Sequence, residues 1–221
     1  MSDGWEFEEK RFLLCEGDHD KSILEFLITE RKLGPFQIKT SFECIGSGGI
    51  DAFIPALKGF RAIRGFKKLT GIAIVVDNDD PQRLPGLAKQ LSRQFHVQMT
   101  PDYRGVFHGK DFMLIPIPGI AEYGDLERLC LPALFSIWPH AEEGVKAYLE
   151  WTGANEWKKR SQLWKAKVRC TISGYHEDDP YKGLGYLFKG EKFRHLARHP
   201  CFDGLVGILK DFDDVIKAPS P

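Results

Sequence analysis

Long apolar runs are missing from this sequence, and so is an excess of charge of either sign. No run approaches the roughly 20 apolar residues that a membrane-spanning helix needs, so the sequence predicts no membrane span. Among 221 residues, 31 Lys and Arg balance 31 Asp and Glu, which gives a formal net charge of zero. This balance argues against a uniformly basic surface for nucleic acid, although it allows a local basic face.

Cysteine is also scarce, and the number of cysteines is odd. The five are Cys15, Cys44, Cys130, Cys170 and Cys201. Their wide spacing predicts reduced, mostly buried thiols and not a disulfide framework. The first ten residues, MSDGWEFEEK, are acidic and lack the basic and apolar regions of a signal peptide. We therefore expect a soluble, cytoplasmic protein.

Short runs rich in branched and aromatic residues alternate with helical patterns between residues 10 and 134. The runs are RFLLC, IKTSFECI, GIAIVV and FMLIPI, and the helical patterns cover Asp18–Arg31, Asp51–Arg64 and Pro85–Phe95. This alternation predicts an α/β fold with a mostly parallel, Rossmann-like sheet flanked by helices. Residues 101–110 are expected to form either a loop or an added strand pair.

The second half of the chain has a helical pattern. We expect helices over Asp125–Phe135, Ala141–Trp151 and Asn155–Ile172, followed by short helices up to Phe212. The predicted organisation is an α/β domain over residues 1–135, a helical extension over 136–216 packed on it, and a disordered tail over 217–221.

Carboxylates follow two of the predicted strands. Glu16 comes directly after the first run, and Asp77 and Asp79 follow the third. Ligands bind at the carboxyl ends of strands in an open parallel sheet, so we expect these side chains at one sheet edge. Clustered carboxylates repel one another unless a cation intervenes, and an all-oxygen set without His or Cys suits Mg²⁺, or Mn²⁺ in its place.

A Gly-rich turn follows the second run. Gly46, Ser47, Gly48 and Gly49 are candidates for phosphate binding, because such a turn lets a phosphate approach the backbone at a helix N-terminus. The turn is not a dinucleotide-binding fingerprint, since it follows the second run and lacks the required spacing.

Several polar residues near these motifs have structural explanations. Asp18 is expected to cap the first helix, and Asp80 to form a cap or turn. His19 lies either on the exposed first turn or close enough to the site to contact substrate. His195 and His199 have a zinc-compatible spacing, but no Glu follows the first His, so we expect only a helix end there.

The carboxylate motifs resemble the TOPRIM domain, which occurs in bacterial primases, topoisomerases, recombination-mediator proteins and the OLD (overcoming lysogenization defect) nucleases. CEGDHD is similar to the Glu-Gly-x-x-Asp form of that domain, with Glu16 and Asp20 as its acids. VVDNDD supplies the Asp-x-Asp motif as Asp77 and Asp79. The segment PGIAEYGDLERLCLPA is similar to one in OLD-like proteins, which implies that Glu127 lies near the metal site.

The resemblance covers the first 135 residues well and is greatest to stand-alone bacterial TOPRIM-like proteins of unassigned function. It implies metal-dependent phosphodiester chemistry on nucleic acid, with Glu16, Asp77 and Asp79 as the catalytic set holding one Mg²⁺. Asp20 and Glu127 would help to hold a second ion. Alternatively, Glu16 would act as a general base or acid while the aspartates hold the metal. The alternative is a non-catalytic module that acts through its helical half in a defence or repair complex.

A basic segment in the second half is a candidate for binding the nucleic-acid backbone. Lys158, Lys165 and Arg169 fall near one face of a predicted helix, with Trp157 and Trp164 around them. The alternative is a solvated charged face whose tryptophans belong to the core.

Overall fold

A computed structural model describes residues 5–214 as an α/β fold with one five-stranded sheet. The strand order is β2-β1-β3-β5-β4. The strands are β1 (Arg11–Cys15), β2 (Gln37–Thr40), β3 (Gly71–Asp77), β4 (Arg104–Phe107) and β5 (Lys110–Ile117). β4 pairs antiparallel with β5, and the other pairs are parallel. The predicted Rossmann-like, mostly parallel sheet is confirmed.

Helices cover both faces of the sheet and make up the second half of the chain. They are α1 (Asp18–Glu30), α2 (Ser41–Ile45), α3 (Phe53–Phe60), α4 (Arg83–Phe95), α5 (Leu126–Ile137), α6 (Ala141–Trp151), α7 (Arg160–Tyr175), α8 (Leu184–Leu187) and α9 (Asp203–Asp214). Within residues 5–214, none of the helices has the length and apolar character to cross a membrane. The tail predicted over 217–221 lies outside the described residues.

Alternate residues of the strands belong to two hydrophobic cores, one on each face of the sheet. Leu13, Ala73 and Val75 pack with apolar residues of α1, α5, α7 and α9. Phe12 and Ile74 belong to the other core, together with residues of α3 and α4. This period of two follows from the pleat, which turns successive side chains to opposite faces. Because α7 and α9 share a core with the strands, the helical half is packed on the sheet.

The second predicted strand is shorter than expected, and the prediction was wrong for residues 41–45. There the chain forms α2, because Thr40 and Glu43 make reciprocal capping bonds. The Thr40 hydroxyl accepts from the backbone N–H of Glu43 at 3.1 Å, and the Glu43 carboxylate accepts from the Thr40 N–H at 2.7 Å. These two bonds satisfy backbone donors at a helix start and thereby turn the chain out of the sheet.

Two further helices have boundaries that differ from the sequence pattern. The helix predicted over Asp51–Arg64 is α3, which starts after a 3₁₀ turn over Ile50–Ala52 and ends at Phe60. The helix predicted from Asn155 begins only at Arg160, because a separate 3₁₀ turn precedes it. Residues 101–110 contain one added strand, β4, and not a separate strand pair. β4 forms a hairpin with β5, the strand that includes FMLIPI, through a two-residue turn with His108 and Gly109 at positive φ.

Candidate functional site

The predicted carboxylates meet at the point where the strand order reverses. β1 lies between β2 and β3, and it pairs parallel with both. Glu16 directly follows β1, while Asp77 is the last residue of β3, so both lie at the same sheet edge, as predicted. In open α/β sheets this crevice between diverging connections is where ligands bind.

Asn78 ties the end of β3 to the loop that leads into α5. Its side-chain amide donates to the carbonyl oxygens of Gly119 at 3.2 Å and Glu122 at 2.8 Å. As a result the first turn of α5 lies against the end of β3, where the Asp77 carboxylate accepts from the backbone N–H of Leu126 at 3.2 Å. The α5 N-terminus is thereby part of the carboxylate site.

Asp125 is a fully buried carboxylate that the sequence reasoning missed as a site residue. It is the N-cap of α5, and one of its oxygens accepts from the backbone N–H of Arg128 at 2.9 Å. Its other oxygen, Oδ2, has no hydrogen-bond partner. The ammonium of Lys165 lies 3.7 Å from that oxygen and 3.7 Å from a carboxylate oxygen of Glu127. The only sequence signal was an acidic residue at a predicted helix start.

Arg83 is the second missed residue, and it contacts two of the predicted carboxylates. Its guanidinium lies 2.9 Å from Oδ1 of Asp79 and 3.6 Å from Oε1 of Glu16. Both oxygens are buried, and neither contact has the geometry of a hydrogen bond. The four-residue spacing of Asp79 and Arg83 was the sequence signal for this contact.

The electrostatics of the cluster disfavour its negative charge. Burial, followed by the charge of Glu16, raises the pKa of Asp20 to about 7. Burial also raises the pKa of Asp125 to about 6, and that of Asp77 well above its usual value with help from the charges of Asp20 and Glu16. The pKa of Glu16 is raised by burial in spite of Arg83. Each shift has the sign expected of carboxylates held out of water beside like charges.

The donor chemistry of the cluster fits a hard divalent cation, although the side chains do not yet form a coordination sphere. Among residues 5–214, no three His, Cys, Asp or Glu side chains are grouped so that they could hold a metal ion. Yet Glu16, Asp79 and Asp125 each bury a carboxylate oxygen without a hydrogen-bond partner. Such an all-oxygen set matches the preference of Mg²⁺ or Mn²⁺.

The Gly-rich turn lies beside the strand end that carries Glu16. Gly46 ends α2 in the left-handed region with φ 71°, and Gly49 has φ 82°. A Cβ on Gly48 would lie 4.0 Å from the backbone oxygen of Glu16. The turn therefore adjoins the carboxylates, but it follows α2 and not the second strand directly. Gly46, Ser47 and Gly48 are exposed, so their backbone is open to a ligand.

Two of the three predicted basic residues border the carboxylate site. Lys165 and Arg169 line a cavity of about 270 Å³ together with His19 and Glu127. Lys158 precedes α7, so the prediction that it shares a helical face with the other two was wrong. The 3₁₀ turn over Ala154–Glu156 delays the start of α7, and Lys158 is exposed outside it.

A second basic group lies at the opposite edge of the sheet. Arg61, Lys67 and Lys68 line a cavity of about 820 Å³ together with His108 and Lys110. Lys68 precedes β3, whereas the carboxylates follow it, and a seven-residue strand spans about 20 Å. These residues therefore cannot contact a phosphate that is held at the carboxylates.

Asp18 and Asp80, which were expected to have only structural roles, differ in their outcome. Gly17, not Asp18, is the N-cap of α1, and its N–H donates to the Asp20 carboxylate at 3.0 Å; the expectation of an Asp18 cap was wrong. Asp80 forms a turn, accepting from the backbone N–H of Gln82 at 2.8 Å.

The five cysteines are free, with Cys15 and Cys130 buried and the others half-buried.

The fold and site define a Rossmann-like α/β protein with a carboxylate cluster at its topological switch point. The chain belongs to the family described as "Protein of unknown function (DUF3226)", whose model matches residues 10–211. The match includes both the sheet and the helical half. Neither the curated proteins nor the solved structures include one with a significant match to this chain.

Proposed function

We propose that this protein hydrolyses phosphodiester bonds in nucleic acid as a TOPRIM-type nuclease that depends on Mg²⁺ or Mn²⁺. One observation carries the proposal: Glu16, Asp79 and Asp125 each bury a carboxylate oxygen without a hydrogen-bond partner at the sheet switch point. Arg83 and Lys165 offset only part of this buried charge, because burial still raises the pKa values of Glu16 and Asp125, and a divalent cation would offset the rest.

The cation would be held by Glu16, Asp77 and Asp79, with Asp20 and Glu127 as further ligands. Bound there, Mg²⁺ supplies Lewis-acid activation of a phosphate and of the attacking water. Arg83 and Lys165 contact carboxylates of this cluster and offset part of its negative charge. Ligation therefore requires the carboxylates to exchange these contacts for the ion.

Other residues at the same edge have the chemistry to position a phosphodiester. The backbone N–H groups of the turn Gly46–Gly49 are suited to donate hydrogen bonds to a phosphate oxygen. Lys165 and Arg169 line the adjacent cavity, where they would neutralise phosphates that flank the scissile bond. Alternatively, the aspartates would hold the cation and Glu16, whose pKa is raised by burial, would exchange a proton with the reacting oxygens.

Binding of Mn²⁺, followed by EPR with and without a short oligonucleotide, tests the metal site directly. Wild-type protein should reduce the signal of free Mn²⁺, and Asp77→Asn should weaken this binding at least tenfold. The oligonucleotide is included because Mg²⁺ and Mn²⁺ complete their coordination shells with phosphates. Absence of binding by the wild type under both conditions would refute the catalytic proposal.

Cleavage of labelled DNA and RNA oligonucleotides then tests the reaction. Glu16→Gln keeps the size and hydrogen-bonding capacity of the side chain but removes its charge, so it should abolish cleavage. Asp18→Asn is the matched control, because Asp18 is an exposed acid two residues away. Full activity of Glu16→Gln would eliminate Glu16 as ligand and as general acid or base.

A second candidate function is a non-catalytic binding module that works with a protein partner. The contact of Arg83 with Asp79, at 2.9 Å, favours this candidate, because the guanidinium of Arg83 already supplies a positive charge to the carboxylate. The helical half also exposes Tyr148 and Trp151, whose ring centroids lie 6.3 Å apart on α6. A protein that binds neither Mn²⁺ nor an oligonucleotide would favour this candidate.

For either function we place the protein in the cytoplasm, where free thiols persist.

A further inference from the structure

Two exposed tyrosines stand beside basic side chains next to the carboxylate site. Tyr181 is 87% exposed and Tyr186 is 54% exposed. They line a cavity of about 480 Å³ together with Arg169, Lys182 and Asp179. Lys182 lies 3.9 Å from Asp179, and the ammonium of Lys189 lies 5.5 Å from the centre of the Tyr186 ring. The cavity therefore combines accessible aromatic faces with an excess of positive charge.

The loop that carries Tyr181 is held in place by hydrogen bonds. The Ser173 hydroxyl on α7 donates to the carbonyl oxygen of Pro180 at 2.9 Å. The backbone N–H of Asp179 donates to Nδ1 of His176 at 3.0 Å, and His176 is buried at 7% exposure. In the part of the chain that the structure describes, the Tyr181 ring has no aromatic or cationic partner. A fixed loop thus presents a large ring to solvent, which is a preorganised surface for stacking.

This surface is continuous with the carboxylate site along α7. Arg169 lines both the tyrosine cavity and the cavity that contains His19, Lys165 and Glu127. Lys165 lies four residues before Arg169 on α7, about one helical turn, and contacts Glu127 at 3.7 Å. Gly183 adjoins His19 so closely that a Cβ on it would lie 3.0 Å from the His19 Nε2 atom. The tyrosine cavity therefore adjoins His19 and shares Arg169 with the cavity that includes Glu127.

The acidic residues near this surface leave it with a net positive charge, which suits a phosphate backbone. Asp179 is the one acid among the residues that line the tyrosine cavity, and it is engaged by Lys182 and by the backbone N–H of Tyr181 at 3.2 Å. Glu177 and Asp178, on the same loop, are exposed and do not line the cavity.

We infer that Arg169, Tyr181, Lys182 and Tyr186 form a binding surface for single-stranded nucleic acid. Bases stack on the two tyrosine rings, and the cations contact the backbone as it runs along α7. Single strands are selected because a duplex keeps its base faces stacked and unavailable to the tyrosines. The inference deepens the proposed function by naming its substrate class, although the binding itself does not depend on catalysis.

Fluorescence anisotropy with a labelled single strand of about 12 nucleotides, in EDTA and low salt, tests the surface. Tyr181→Ala/Tyr186→Ala should bind at least tenfold more weakly, since each base–aromatic stack contributes about fivefold to a hundredfold in affinity. Tyr181→Phe/Tyr186→Phe should bind like the wild type, because it retains both rings. Tyr181→Ala alone should weaken binding without affecting folding, because this side chain is 87% exposed.

Tyr148→Ala/Trp151→Ala is the matched control. Its residues are 51% and 84% exposed and form a ring pair on α6, outside the proposed surface. This control should leave affinity unchanged, and a duplex of the same sequence should bind more weakly than the single strand. Unchanged affinity in the Tyr181 and Tyr186 alanine variants would overturn the inference, as would equal weakening in the control or a preference for the duplex.

The two proposals fail in distinguishable ways. Binding is measured in EDTA, so a protein that binds through the tyrosines but never cleaves refutes the nuclease and leaves the binding surface intact. Metal-dependent cleavage that is lost in Glu16→Gln, combined with normal binding by the tyrosine variants, refutes the surface and supports the nuclease.

Discussion

Replacing Asp20 by Asn should stabilise the folded protein at neutral and alkaline pH. Asp20 lies in the first turn of α1, where its carboxylate accepts from the backbone N–H of Gly17 at 3.0 Å. The oxygen of an Asn side chain can accept the same hydrogen bond. The substitution therefore removes the buried charge, and its repulsion by Glu16, while it keeps the helix start intact.

The magnitude follows from the pKa of Asp20, which is raised from 3.8 to about 7. The unfolded chain loses this proton near pH 4, whereas the folded protein retains it up to about pH 7. Asp20 therefore lowers stability increasingly between these limits, by at most about 4 kcal/mol above pH 7. Partial access to solvent and charge sharing with Glu16 reduce this value, so we expect about 2 kcal/mol.

Urea unfolding of the wild type and Asp20→Asn at several pH values, in EDTA, measures this difference. The two proteins should be about equally stable near pH 4, and the advantage of the variant should grow up to about pH 7 and then stay constant. At pH 8 the melting temperature should rise by about 4–8 °C for a chain of this length. Asp18→Asn, an exposed neighbour, is the control. An equal or lower stability of Asp20→Asn at pH 8 would refute the reasoning.

Three further predictions concern the folding of the sheet and the elements that flank it. Phe60→Ala should lower the free energy of unfolding by about 3–5 kcal/mol in urea titrations, because Phe60 is fully buried among aromatic rings. Thr40→Ala should cost about 1 kcal/mol through loss of the hydroxyl bond to the Glu43 N–H, and Thr40→Ser should recover most of it. Gly65→Ala should be at least about 1 kcal/mol more damaging than Gly109→Ala: both have positive φ, but only at Gly65 would the new methyl overlap a backbone oxygen.

The sheet was predictable from the sequence because buried parallel strands carry a strong local signal. GIAIVV and FMLIPI are continuous apolar runs, and both lie inside strands buried on two faces. The point at which a strand ends and a helix begins has a weaker signal. At α2 the deciding contacts are two hydrogen bonds between Thr40 and Glu43, which outweigh the β-like composition of SFECI.

The site was predictable in part, for a topological reason. In a parallel sheet the carboxyl ends of neighbouring strands must share an edge, so Glu16 and Asp77 were expected together. Asp125 and Arg83 come from helices whose approach to that edge is set by packing. The Asn78 bonds to the loop before α5 bring Asp125 there, and neither the loop path nor the bonds have a sequence signature.

The sequence alone determined the order of strands and helices and the acids that follow β1 and β3, because apolar periodicity and strand direction are properties of the chain itself. The tertiary structure decided which cations face those acids and which surface adjoins them. Arg83 and Lys165 reach the carboxylate edge from α4 and α7, and the loop before α8 brings Tyr181 to the adjoining surface, so their placement depends on how these elements pack. Contacts of this kind depend on how distant elements pack in the folded core, which local sequence patterns do not predict.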